Sequence, residues 1–290
     1  MSMATPTSAA PRREPALPSQ RALAALLDQF APISLQEMDA VALLNRVDIK
    51  FILTPEQLVD ALTPLAPHYR VLSVAGIRLN RYHTLYFDTP EFGLYRIHHS
   101  GRQVRYKVRF RSYVDSNLTY FEVKQKDNKG RTLKSRQRVA SLTSRIDDPL
   151  AQFLHDSLHH PAPPLEAKLG NHFVRVTLVS NQHIERLTLD FDLSFVCPQR
   201  ITTAPRLAIA EVKQEGFSRQ SQFLHRMRAV HAQEMGFSKY CIGAATLYPH
   251  LKQNNFKPIF LRLHKLGAAP MSATIEPHPA RWATQVEKAL

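Results

Sequence analysis

The residues best placed to do chemistry are cations set at every second position. Arg105-Tyr106-Lys107-Val108-Arg109-Phe110-Arg111 alternates strictly. In an extended strand this puts four positive side chains on one face and three apolar ones on the other. Between Arg96 and Arg138 there are thirteen Lys and Arg against three carboxylates, net +10 (13 − 3) of the chain's formal +14. Like charges lined up on one strand face repel unless a polyanion fills that side. Arginine grips phosphate oxygens in pairs and lysine supplies point charges. Single carboxylates set among the cations, Glu122, Asp190 and Glu211, suit a hard divalent ion such as Mn²⁺ or Mg²⁺ bridging protein and phosphate oxygens. The chemistry implied is the handling of a metal-bound phosphate chain.

The elements that must position these residues are mostly strands. Segments 46–53, 81–88, 103–113, 119–126, 131–139, 172–180, 185–194 and 206–213 give eight. The charged face recurs through them. Arg46, Asp48 and Lys50 share one side; Glu122, Lys124 and Lys126 another; then Lys134, Arg136 and Arg138; then Arg186, Asp190 and Asp192; then Glu211 and Lys213. Asp127-Asn128-Lys129-Gly130 reads as a hairpin turn. Helices are expected at 21–30, at 34–44 (Ser34 with Glu37 makes a capping box), after Thr54-Pro55, at 148–160, and at 221–235 ended by Gly236. Eight strands with helices at their ends predict an α+β fold built on an eight-stranded antiparallel β-barrel with flanking helices. An open sandwich would turn the charged faces to solvent. A closed barrel would turn them inward, where unpaired cations cost several kcal/mol each unless the interior is wet and adapted to an anionic ligand.

With 290 residues, 44% hydrophobic and 21% charged, the chain can bury a substantial core. Residues 1–20, rich in Pro, Ala and Ser, read as a disordered tail without a secretory h-region. Residues 21–250 form the domain, and 251–290 a loosely attached tail. Cys197 and Cys241 are too few for a disulfide framework, and the fourteen histidines show no ligand spacing. No apolar run nears the roughly eighteen residues of a membrane helix, so a cytoplasmic location is expected. A pI near 10 permits nucleic acid. No aromatic-interleaved platform or helix-turn-helix supports it, and Glu122 and Glu211 would repel a nucleic-acid backbone.

Seven motifs, in order between about residues 34 and 250, carry a family resemblance. They are Asp48-Ile49-Lys50-Phe51, Tyr86-Phe87-Asp88-Thr89, Arg105 to Tyr113, Phe121 to Lys126, Gly130 to Arg136, Glu211-Val212-Lys213 and Phe237-Ser238-Lys239-Tyr240. Together they resemble the VTC domain, the polyphosphate polymerase branch of the CYTH-like triphosphate tunnel metalloenzymes. The resemblance implies an eight-stranded tunnel that moves the γ-phosphoryl of ATP onto a growing polyphosphate chain and releases ADP, with Mn²⁺ or Mg²⁺ on a glutamate. It implies catalytic roles for Lys50, Arg109, Arg111, Lys124, Lys134, Arg175 and Lys239. Arg46, Arg105, Lys107, Arg136, Arg138, Arg186 and Lys213 are the expected phosphate cradle. Glu211 would hold the metal, with Glu122 and Asp190 as helpers. ATP and polyphosphate are the implied partners, with a separate membrane protein that would hold the domain at the inner face of a membrane. Two other readings use the same residues: a tripolyphosphatase or nucleoside triphosphatase with water as acceptor, and a module that binds nucleic acid or another polyanion without chemistry.

Overall fold

Strands alternate and helices carry capping side chains where the sequence demands them. The computed structural model describes residues 18–40, 47–129, 131–216, 220–269 and 271–274. In chain order the elements are α1 (Pro18–Leu27), β1 (Ala31–Ile33), α2 (Leu35–Ala40), β2 (Val47–Leu53), α3 (Pro55–Leu62), β3 (Tyr69–Leu72), β4 (Asn80–Asp88), α4 (Gly93–His99), β5 (Arg105–Tyr113), β6 (Leu118–Lys126), β7 (Thr132–Val139), α5 (Asp148–Leu158), β8 (Glu166–Ser180), β9 (Glu185–Cys197), β10 (Arg200–Ala204), β11 (Ala208–Gln214), α6 (Gln222–Ala229), β12 (Gln233–Glu234), α7 (Lys239–Leu247), α8 (Lys257–Lys265) and β13 (Met271–Thr274). Ser34 and Glu37 close the expected capping box at α2. Thr54 and Gln57 close a second at α3, while Asp147 and Ser221 cap α5 and α6.

The strands form one sheet in the order β12-β2-β11-β9-β8-β4-β5-β6-β7. The eight predicted strands are the continuous run from β2 to β7 along that path, antiparallel throughout. The count of thirteen exceeds eight because short strands add to the rims: β3 extends β8, β10 extends β9, and β1, β12 and β13 attach at edges. The sheet curls until β6 faces β2 and β11, so that Lys124 feels the charges of Glu211 and Lys50. Among the described residues no ladder joins β7 to β2 or β12, and Lys134, Arg136 and Arg138 on β7 are exposed along that rim.

Helices cover the outside of the curl. Ile49, Phe51, Leu187, Leu189 and Val212 pack with Leu27 of α1, Leu58 and Leu62 of α3 and Phe223 and Met227 of α6. Val108, Phe110, Phe121 and Val123 pack with Leu150, Leu154 and Leu158 of α5. Each such side chain contributes about 1.5–3 kcal/mol on burial. This outer apolar layer turns the charged faces inward, as the alternation required. On the inner side α7 lies close on β8 and β9: a Cβ at Gly243 would stand 2.5 Å from the Phe195 ring, so glycine permits the approach.

Two expectations need correcting. The helix predicted over 221–235 ends at Ala229; His231 takes φ 52° and the chain returns as β12. The reason is the open edge of β2, which accepts Met235 N–H at the Lys50 carbonyl (2.9 Å) and pairs Gln233 with Ile52. The stretch from 251, expected to be loose, includes α8, and Leu251, Leu263 and Ala268 are buried in the core beside α7. No described helix is long and apolar enough to cross a membrane.

Candidate active site: a cationic tunnel

Three carboxylates organise the interior, each held by cations from neighbouring strands. Glu122 on β6 is fully buried. It accepts Arg109 Nε at 2.9 Å and pairs with Arg109 Nη2 at 2.7 Å and Lys134 Nζ at 2.6 Å. Register dictates this, since Arg109 and Arg136 are the direct cross-strand partners of Glu122 and Lys134 lies one inward position away. Burial alone would raise its pKa, but Arg109, Arg111 and Lys134 hold it well below the usual carboxylate range.

Asp190 on β9 takes Arg175 of β8 through both oxygens, at 2.5 and 2.7 Å, and also Lys239 of α7. The Arg175 guanidinium lies over the rings of Tyr82 (5.0 Å) and Phe173 (5.3 Å), with Lys239 Nζ 4.5 Å from the Phe173 centroid. Burial again opposes ionisation at Asp190, and Arg175 with Lys239 overcomes it.

Glu211 differs. It stands between Lys50 of β2 (2.8 Å) and Lys213 of its own strand (2.7 Å), and its side chain keeps 19% exposure. Its charge also reaches Arg175 on β8 and Lys124 on β6, so it is central to the curl. Lys213 and Lys50 hold its carboxyl well below the usual range against the cost of burial.

Another set of cations lies toward one mouth. Among the described residues Arg105, Lys107, Lys124 and Lys126 form no ion pair. Lys107 donates to Ser238 Oγ (2.9 Å). Lys124 is pushed down to about 8 by burial and then by Lys107, Arg109 and Lys50. Arg111 is buried over Tyr82 and Phe173 and donates to Thr84 Oγ1 at 3.3 Å. Arg136 lies 4.9 Å over the Tyr120 ring, Arg138 stands opposite Tyr120, and Arg186 opposite Lys213. Arg46 lies outside the described residues. Lys50, Arg105, Lys107 and Lys124 line a cavity of about 450 Å³ at one mouth.

Several participants carry no alternation signal of their own. Ser238 caps α7 and meets Lys107. Tyr86 places its hydroxyl 3.4 Å from Arg109. Asp88, fully buried, accepts from the backbone N–H groups of Thr89, Leu94 and Tyr95 and from the Tyr240 hydroxyl, tying β4 and α4 to the first turn of α7. The Tyr-Phe-Asp-Thr and Phe-Ser-Lys-Tyr motifs were the visible trace of this clamp.

The fit for a divalent ion follows from the same geometry. No described group of three or more His, Cys, Asp or Glu converges, and Glu122 and Asp190 are each ion-paired to an arginine and a lysine and closed off from solvent. Glu211, paired by Lys50 and Lys213, is the one of the three whose side chain keeps exposure to the tunnel. Hard ions that retain water and substrate phosphate oxygens need one or two protein carboxylates, so Glu211 fits the role and the other two do not gather with it.

Among solved structures, the chain is similar to a Hippeastrum adenylyl cyclase candidate reported with a dominant triphosphatase activity (14% identity, 69% of this chain and 96% of that one, TM-score 0.44). It is also similar to a Bacillus halodurans adenylate cyclase candidate (14%, 70% and 97%, TM-score 0.41). A third is a conserved hypothetical protein of Pyrococcus furiosus (13%, 64% and 91%, TM-score 0.35). No curated protein matches. The VTC domain profile matches residues 45–248, the span that holds every described member of the three ion-pair clusters, and on that match the chain belongs to the VTC domain family.

Proposed function

We propose that this tunnel transfers the γ-phosphoryl group of ATP onto the end of a polyphosphate chain. Family membership supports phosphotransferase or triphosphatase chemistry in the tunnel. The observation that carries the finer reading is the state of the carboxylates. Glu122, Asp190 and Glu211 are all clamped by cations and held far below the usual range. Such groups are weak general bases. An attacking water must also give up a proton along the way, which such carboxylates assist poorly, whereas the terminal oxygen of a polyphosphate is already anionic and has none to lose.

In this reaction an oxygen of the acceptor's terminal phosphate forms a bond to Pγ as the Pγ–O bond to the β-phosphate breaks. The electron pair leaves on ADP. The protein's task is positioning and charge neutralisation. Arg105, Lys107, Lys124 and Lys126 hold the phosphates at one mouth, with Lys50 and Lys213 on the opposite wall. Arg109 and Arg175 are rigid because Glu122 and Asp190 fix their guanidinium planes, so their outward N–H groups face the ligand in set directions. Lys134 and Lys239 share those carboxylates, while Arg111, Arg136, Arg138 and Arg186 extend the cradle toward the other mouth. Glu211 would hold Mn²⁺ or Mg²⁺, which supplies positive charge at the phosphate oxygens. Glu122 and Asp190 serve as counterions and not as metal helpers. A partner in a membrane and a place at its inner face belong to this reading as expectations.

Incubation with ATP and Mn²⁺, with products resolved by length, tests it. A ladder of long phosphate chains is expected. ADP with orthophosphate alone would establish the hydrolase, and salt-sensitive polyanion retention without turnover would establish plain binding.

A further inference from the structure

The cavity at the Arg105 mouth has two unlike walls. One is cationic, from Arg105, Lys107, Lys124 and Lys126; the other is apolar, from Phe237, Ile242, Phe256 and Ile259. Phe256 and Ile259 precede and begin α8, outside the segment that matches the family profile. This wall is pinned in place. Asn255 Nδ2 donates to the His99 carbonyl at 2.8 Å and Asn255 N–H reaches His99 Nε2 at 3.3 Å. The Tyr95 hydroxyl donates to the Lys252 carbonyl at 2.9 Å. The Phe256 ring stands edge-on to Tyr95 and His99, at 5.9 and 5.3 Å. Phe256 and Ile259 keep partial exposure toward the cavity.

A bare phosphate chain gains nothing from such a wall, because apolar surface offers its oxygens neither charge nor hydrogen bonds. A ligand joining a phosphate chain to a flat, weakly polar ring satisfies both sides at once. The volume of about 450 Å³ falls within the range of small-molecule sites. The geometry points to this mouth as the nucleoside end of the tunnel: the base and ribose of a nucleoside triphosphate sit against Phe256 and Ile259, and the phosphates run inward over Lys107 and Lys124 toward Glu211. This rests on the triphosphate reading above and adds a direction to it. Donor nucleotide enters past α8, and the acceptor chain approaches from the Arg138 end. His98 lies on the same rim with its Nε2 3.3 Å from the Tyr106 carbonyl, and burial with the nearby Lys107 keeps its ring neutral at physiological pH.

The test compares two ligands that share the phosphates and differ in the base. Binding of β,γ-imido ATP and of inorganic tripolyphosphate is measured by calorimetry on the full chain. The proteins compared are wild type, Phe256→Ala and Ile259→Trp, the last filling the wall without hollowing the contact with Tyr95. Stacking of a base on an aromatic side chain is worth about 1–3 kcal/mol. Phe256→Ala is therefore expected to raise the ratio of the nucleotide Kd to the tripolyphosphate Kd about tenfold, and Ile259→Trp to shift the same ratio, because the larger ring alters the contact with the base and leaves the phosphates alone. A ratio unchanged in both variants would overturn the assignment while leaving the tunnel reading intact. So would a loss confined to tripolyphosphate, which would make this mouth an end that takes bare phosphate. A wild-type chain that binds neither ligand would overturn the triphosphate reading itself.

Discussion

Glu122→Gln separates a counterion from a metal ligand. The substitution keeps the shape and removes the charge. It turns one of the two acceptor oxygens into an NH2 donor, so either Arg109 or Lys134 loses its acceptor and both lose the opposing charge. Removing one member of a buried pair costs about 3–5 kcal/mol. Here the lower end applies, because the Arg109 side chain keeps 12% exposure and Lys134 38%, so tunnel water recovers part of the loss. A penalty of about 3 kcal/mol converts to a fall in Tm of about 6–12 °C for a domain of this size. The assay is thermal and urea unfolding with and without tripolyphosphate. A polyanion should replace the missing carboxylate at Arg109 and Lys134, so the ligand-induced rise in Tm is expected to exceed that of wild type. At 100 times Kd, binding alone adds about 2.7 kcal/mol, enough to restore most of the deficit. A variant as stable as wild type that had lost its divalent-ion dependence would refute the reasoning and make Glu122 a metal ligand.

Glu211→Gln should behave in the opposite way. Its side chain keeps 19% exposure where Glu122 has none, so the loss of stability should be smaller than in Glu122→Gln, while metal-dependent turnover falls at least about 100-fold; full activity in this variant would remove Glu211 from the metal role. Triphosphate affinity should be flat near pH 7 and fall as pH passes about 8, where Lys124 and Lys213, both lowered chiefly by burial, lose their charge; titration calorimetry across pH 6.5–9.5 reads it. The unliganded protein should move the other way. Those lysines have folded pKa values near 8 against 10.5 unfolded, so the unfolded chain binds more protons between these values and stability rises with pH over about 8–10. Above that window the buried phenol of Tyr69, held up by burial and Glu185, reverses the trend.

Much of the fold was legible because strand alternation is a local property. The period of two in Arg105 to Arg111 sets which side chains share a face whatever the strand pairs with. The outer apolar sets, Val108 with Phe110 and Leu187 with Leu189, then require helices to cover them. What was missed lacked a local period. Lys239-Tyr240-Cys241-Ile242-Gly243-Ala244-Ala245 is apolar nearly all round, so α7 shows no amphipathic stripe to mark it. The end of α6 at Ala229 was decided by the vacant edge of β2 and not by Gly236.

The candidate site divides along the same line. From the sequence by itself came a cation excess on one face with single carboxylates inside it, enough to demand a polyanion. Only the tertiary structure decided which cations each carboxylate meets. Cross-strand register puts Arg109 beside Glu122 and Arg175 beside Asp190, which buries both against a guanidinium, whereas Glu211 meets only lysines and keeps part of its side chain exposed. Residues 251–268 show the same limit: nothing within that stretch announces a wall. Phe256 and Ile259 gain a role only because Asn255 and Tyr95 fasten the segment over the tunnel mouth, a contact between residues about 160 positions apart. Periodicity fixes the direction of a side chain, but its partner is chosen by the packing of distant elements.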